Sequence, residues 1–204
     1  LPGLYDVTVT PPESDDNPWG VLLARSLVTE IGDQLSDALY EVPPQIAFSG
    51  SVLALGDEPA SGVSVQMKSR QRGVTEVPLT EEDLARNRED TTDAEGRFFM
   101  NLDAGIFDTS LKVPAQSGFP WLVEPGLDLT EAEGSWQRNY NLPAPIVASG
   151  VLKASDGSLL SGAQIRAYVF VGEGEDARAV QVADTVSDES GGYRLLIAPS
   201  SAAE

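Results

Sequence analysis

The sequence predicts an all-β chain made of β-sandwich modules in tandem. Three observations carry that expectation. The chain repeats itself at a spacing near 100 residues. The repeated stretches alternate apolar and polar residues, as half-buried strands do. Gly, Asp and Pro punctuate them at the places where a chain must turn.

The repeat comes first because it sets the frame for everything else. SGSVLALGDEPASGVSV at 49–65 returns as SGVLKASDGSLLSGAQI at 149–165, an offset of 100. TDAEGRFFMNL at 92–102 returns as SDESGGYRLLI at 187–197, an offset of 95. GLYDVTVTPP at 3–12 matches GIFDTSLKVP at 105–114, and Pro18-Trp19 matches Pro120-Trp121, both at 102. LYEVPPQIAFSG at 39–50 resembles NYNLPAPIVASG at 139–150. Each match is short, but all fall in one order at nearly one offset. The period is too long for a solenoid unit and suits a small β-domain.

With a module starting at its PxIxxSG stretch, the chain divides into three parts. Residues 1–43 are the end of a preceding module, 44–143 a complete module, and 144–204 the beginning of a following one. The chain starts at Leu1 with no signal-peptide pattern and so reads as an internal or processed piece. The two partial modules are complementary, and are expected to associate within one chain or between two.

Within the complete module, 45–55 alternates as a strand, 56–62 is a turn, and 63–69 alternates again. A variable segment follows, where Thr80 and Asp83 stand at capping-box spacing and predict a short helix or a loop. In 92–102, Asp93 caps a turn in which Gly96 takes positive φ, and Phe98 and Met100 point to one face. The segments 105–114, 125–132 and 136–143 bring the count to about seven strands, a β-sandwich number. Residues 19–41 fit a helical period, but their repeat partner contains Pro120, Pro125 and Gly126; the repeat is weighted over the periodicity, and a strand is expected.

Composition narrows the chemistry. There is no His and no Cys, which removes His-based triads, His-ligated zinc, thiolate nucleophiles, disulfides and iron–sulfur clusters. The net charge is −19, with only three lysines, and such a surface repels nucleic-acid phosphates and anionic lipid. No apolar run reaches the ~18–20 residues of a membrane span. No phosphate-binding glycine motif is present. No enzyme activity and no cofactor are expected.

Two sets of residues are weak candidates for binding. Trp19, Trp121 and Trp136 would suit stacking on sugar rings, or would simply close one end of the core. Asp93 and Asp188 would suit calcium, or would simply cap their turns. In both cases the structural reading is the simpler one. The clustered acids Glu81, Glu82 and Asp83 read as a solvated face rather than a catalytic pair.

The pattern SGxVL…SGAxI followed by TDxxGxF…G resembles the carboxypeptidase regulatory-like domain. Gly50, Val52, Gly62, Val63, Val65, Thr92, Asp93, Gly96, Phe98, Leu102, Gly105 and Phe107 carry the resemblance. The following copy carries it on Gly150, Val151, Gly162, Ala163, Ile165, Asp188, Gly191 and Tyr193. The resemblance implies a seven-stranded Greek-key, transthyretin-like β-sandwich, grouped with carbohydrate-binding-like folds. It also implies tandem arrays in exported bacterial envelope proteins and lipoproteins. The zinc ligands of the catalytic domain that accompanies it in carboxypeptidases are absent. Lys–Asn isopeptide bonds of pilin-type sandwiches would have to use Lys68, Lys112 or Lys153, with Lys153 alone on a first strand. The functions implied are a spacer, scaffold or adhesion stalk of a secreted or cell-envelope protein, a carbohydrate-binding module, or an accessory part of an exported peptidase. Neighbouring modules of the same chain, and a cell-surface glycan or protein, are the implied partners.

Overall fold

The computed structural model describes residues 3–13, 18–29, 40–70, 81–172 and 177–199. The described residues form β-strands and two short 3-10 turns, with no α-helix among them. Fourteen strands follow in chain order. They are β1 (Gly3–Val9), β2 (Leu22–Thr29), β3 (Ile46–Leu53), β4 (Ser64–Ser69), β5 (Arg88–Thr91), β6 (Arg97–Leu102) and β7 (Ile106–Lys112). Then come β8 (Leu122–Asp128), β9 (Ser135–Gln137), β10 (Tyr140–Asn141), β11 (Ile146–Val151), β12 (Gln164–Val171), β13 (Arg178–Val186) and β14 (Gly192–Ile197). The expected all-β class is therefore what the chain adopts.

Strands β3 to β10 make a two-layer sandwich. One sheet runs β5-β4-β7-β8; the other places β3 between β6 and the short strands β9 and β10. β9 and β10 lie parallel to β3, and its other pairing, to β6, is antiparallel. Alternation decides which residues fill the space between the sheets. Along β3 every second residue is buried, starting with Ile46, and β6 buries Phe98, Met100 and Leu102. Phe48, Val52, Val65, Met67, Phe107 and Leu111 are fully buried in this core. Each such side chain contributes ~1.5–3 kcal/mol when taken out of water. Phe98 stacks obliquely between Phe48 and Tyr140, with centroids at 5.5 and 6.3 Å.

Two ends of the sandwich hold the flanking strands. At one, Gly20 N donates to Pro43 O and Gln45 N to Pro18 O, both at 2.7 Å, and clamp the hairpin β1–β2. Val21 and Leu23 are buried there. At the other, Arg178 at the start of β13 makes an ion pair with Asp108 of β7. Residues of β13 and β14 border a cleft with Phe119 and Trp121.

The strand expected within 19–41 forms over Leu22–Thr29, whereas 30–39 lies outside the described residues. At the variable segment a 3-10 turn spans Glu81–Leu84, and 71–80, with the capping-box Thr80, lies outside the described residues. Strand β8 includes Pro125 because it is the edge of its sheet, where a missing N–H costs no ladder bond.

Candidate functional site

The repeated turns are the first candidates. The Asp93 carboxylate accepts from the amides of Glu95 (3.0 Å) and Arg97 (2.8 Å), and from Arg97 Nε (3.1 Å). The Asp188 carboxylate accepts from the amides of Ser190 and Gly192 and from the Ser190 hydroxyl, at 2.7–2.8 Å. Gly96 and Gly191 take φ of +73° and +70° in these turns. A Cβ on either would stand 2.5–2.6 Å from a carbonyl oxygen, of Val52 or Leu152, so glycine is needed there twice over. The amide of Arg97 holds the Asp93 carboxyl below its usual range, and the Ser190 hydroxyl does the same for Asp188. Among the described residues no three His, Cys, Asp or Glu side chains converge as a metal cluster.

These carboxylates are therefore engaged in turn capping, which sets a pH dependence. A carboxyl whose folded pKa is lowered adds stability above its unfolded value, about 3.9, and loses it as pH falls through the folded one. Asp93→Asn and Asp188→Asn are expected to melt below the parent at pH 7, with the gap closing in acid. A rise in the parent's melting temperature on adding millimolar calcium would instead assign the carboxylates to a metal.

The three tryptophans stand apart. Trp19 bridges to Pro44 and is 49% exposed. Trp136 lies on β9 and is 40% exposed. Trp121 packs partly against the core, under Lys112 Nζ at 4.8 Å from the ring centroid. Neither ring pair found among the described residues includes a tryptophan. Strand registers place Leu22 opposite Val9 and Leu122 opposite Leu111, so Trp121 corresponds to Val21 and not to Trp19. The two Pro-Trp pairs thus occupy different environments.

An aromatic that the sequence reading passed over is Phe99. Phe98 and Met100 face the core, so alternation puts Phe99 on the outer face of the sheet, 57% exposed. It borders an open groove with Ser49, Ser51, Arg97, Gln137 and Asn139. The signal was present in FFM, where consecutive aromatics cannot both be buried by one sheet face.

Two buried polar groups complete the inventory. Tyr140 OH and Glu124 Oε2 are buried with no hydrogen bond of regular geometry among the described residues. Burial, then the Glu124 charge, push the Tyr140 phenol far above its ordinary range, so it stays protonated.

The most extensive feature is a correspondence between ladders. In β3/β6, Ile46 pairs with Leu102 and Gly50 with Phe98; in β11/β14, Ile146 pairs with Ile197 and Gly150 with Tyr193. Ser64 pairs with Thr91 and Gln164 with Val186. Side-chain bonds repeat too. The Thr92 hydroxyl donates to Ala60 O and accepts from Val63 N; the Ser187 hydroxyl donates to Leu160 O and accepts from Ala163 N. Burial does not repeat. Ile46 is 2% exposed and Ile146 55%; Val65 and Met67 are buried, whereas Ile165 and Ala167 are half-buried. β12 pairs with β13 alone among the described strands, whereas β4 lies between β5 and β7.

Comparison with known proteins adds no family. No protein-family model matches the chain, and no curated protein matches it. Solved structures resemble it at low similarity. A dioxygenase domain from Streptomyces sp. SirexAA-E is 13% identical, with 55% of this chain and 97% of that one covered and a TM-score of 0.35. The shaft pilin SpaA of Lactobacillus rhamnosus GG is 16% identical, covering 76% and 83%, at 0.32. A streptococcal ancillary pilin is 14% identical, covering 97% and 63%, at 0.32. At these values none of the three decides a function for this chain.

Proposed function

We propose that this chain is a non-catalytic segment of a tandem β-sandwich array, serving as a spacer or scaffold of a secreted or bacterial cell-envelope protein. In this reading 44–143 is one whole transthyretin-like, Greek-key module of the carboxypeptidase regulatory-like kind. Residues 1–43 and 144–204 are parts of its neighbours. The observation that carries the reading is the repetition of registers and turn bonds between β3–β6 and β11–β14. Two parts of one chain that repeat the same ladders and the same turn bonds in the same order support tandem copies of one module. The net charge of −19 suits a soluble, mutually repelling surface. Asp93, Asp188 and Trp121 are engaged in structure, as a spacer requires.

Sugar binding is the second reading, favoured by the outward Phe99 above the polar groove of Gln137 and Asn139. Affinity electrophoresis through gels holding soluble xylan, glucan or peptidoglycan fragments separates the two. The spacer reading expects unchanged mobility on all of them. Retardation that Phe99→Ala or Trp136→Ala removes would replace it with carbohydrate binding. A stacked aromatic is worth ~1 kcal/mol or more, so the loss would be about fivefold or greater.

A further inference from the structure

We propose that both boundaries of the complete module are one repeated joint, so that each module docks on the one before it by the same surface. In this joint the side of the sandwich bordered by β5 and β6, or by β13 and β14, seats on the segment that follows β1 or β7 of the preceding module. The inference rests on the division into modules under the spacer reading, and deepens it by naming the surface that a neighbouring module takes.

The ladders fix which positions correspond. Met67 pairs with Arg88 and Ala167 with Ala183, so Arg88, Glu89 and Asp90 are the counterparts of Ala183, Asp184 and Thr185. Gly50 pairs with Phe98 and Gly150 with Tyr193, so Phe99 and Asn101 are the counterparts of Arg194 and Leu196. At the first boundary, Arg88, Glu89, Asp90, Phe99 and Asn101 line a cleft together with Glu13. At the second, their five counterparts line a cleft together with Ala115. Glu13 and Ala115 correspond as well. Each stands four residues beyond Val9 or Leu111, which pair with Leu22 and Leu122 at the same step of like ladders. Both sides of the contact therefore recur, and they recur together.

The side chains at the centre of the joint change as a pair. Arg88 Nη1 meets Glu13 Oε1 at 2.7 Å, while Arg88 Nε donates to Asn101 O at 3.2 Å. Their counterparts Ala183 and Ala115 are both small and uncharged. One seat thus holds an ion pair and the other holds two methyl groups. Exchanging the neighbours would set Arg88 against Ala115, or Glu13 against Ala183, and leave one charge at the joint without its partner. Such a mismatch discriminates between neighbours while the backbone geometry stays common. Each joint is further held by an arginine that the later module sends back, from a different position in each case. Arg86 donates to Pro11 O and Trp19 O, and Arg178 pairs with Asp108. A head-to-tail contact repeated in one geometry turns and advances each module by the same amount, which gives an extended helical array or a closed ring.

The chain has no cysteine, so introduced thiols report the two joints cleanly. Glu13→Cys with Phe99→Cys probes the first, and Ala115→Cys with Arg194→Cys the second. All four positions are exposed, and substitution there leaves the core alone. With a short bismaleimide, both double variants of the full chain are expected to link within one chain, as peptide mapping of the monomer band shows. The control Glu13→Cys with Arg194→Cys joins residues of different clefts. Both joints should give roughly tenfold or more the linked product of that control, because thiols that share a cleft have a high effective concentration. Linking at one joint only would overturn the repeated joint and leave the spacer reading standing. Linking at neither, or a control that links equally, would also overturn it. Retardation on a glycan gel, by contrast, would remove the spacer reading and leave the joint, so the two fail separately.

Discussion

Gly50→Ala is expected to destabilise the complete module by about 3 kcal/mol or more, while Gly150→Ala changes stability by less than about 1 kcal/mol. The two glycines hold the same place in the repeat and pair with Phe98 and Tyr193. What differs is the chain that crosses them. A Cβ on Gly50 would fall 1.7 Å from the carbonyl oxygen of Arg138 and 2.8 Å from its carbonyl carbon. That backbone cannot retreat cheaply. Arg138 N donates to Ser49 O at 2.9 Å, Asn139 accepts from Ser51 N at 3.0 Å, and Leu142 N donates to Leu53 O at 2.8 Å. Moving it would detach β9 and β10 from β3 and open the core beside Tyr140. The nearest atoms to a Cβ on Gly150 all belong to the ring of Tyr193, at 2.9–3.1 Å, and that ring can turn aside. Thermal unfolding followed by near-ultraviolet circular dichroism checks this; a module of this size should lose on the order of 10 °C or more in the Gly50 variant. Equal melting temperatures for the two variants would mean that β9 and β10 do not cross β3 as described.

Much of this fold was legible in the residues because it is written in local chemistry. The Asp93 and Asp188 turns, the alternation of 45–55 and 63–69, and the prolines after 105–112 all act within a few positions, and β3, β4, β6 and β7 lie where these signals put them; the strand expected at 125–132 instead runs Leu122–Asp128, 136–143 holds two short strands, and β5 falls in the segment expected to be a short helix or a loop. The strand at 22–29 was legible only through its repeat partner, because its own apolar spacing also fits a helix. The parallel placement of β9 and β10 was not legible, since it depends on the chain crossing back over Gly50 from nearly 90 residues away. Candidate sites fared differently. Residue type drew attention to the tryptophans, but type does not tell which face a side chain takes. Phe99, exposed by the pleat, and Arg86, buried among carbonyls, carry more of the surface and the docking than their types suggested.

Arg86 carries the second large effect. It follows the 3-10 turn and reaches the fully buried carboxylate of Asp103, with Nε at 2.9 Å from Oδ2 and Nη2 at 2.8 Å from Oδ1. The amide of Arg86 adds a bond at 2.8 Å and Gln45 Nε2 another at 3.2 Å. The rest of the guanidinium donates to Pro11 O (2.8 Å) and Trp19 O (2.9 Å), so one side chain ties the N-terminal hairpin to the core module. Burial alone would raise the Asp103 pKa, but the bonds from Arg86 and Gln45 outweigh it and hold the carboxyl below its usual range. Asp103→Asn and Arg86→Met should each cost ~3–5 kcal/mol, since either leaves a buried partner unmatched. The double change Arg86→Met with Asp103→Leu should recover much of the core's stability. It should not restore the hairpin's docking fully, because Pro11 O and Trp19 O lose the guanidinium that donates to them; protease cleavage near residues 10–20 would report that separately. The pH dependence has a definite sign. With the folded pKa lowered, the contribution of Asp103 is present above about pH 4 and fades as pH falls through the folded value. The parent should therefore lose stability in acid faster than the double variant. If the two curves run parallel below pH 4, the carboxylate at Asp103 is not what joins the hairpin to the sandwich.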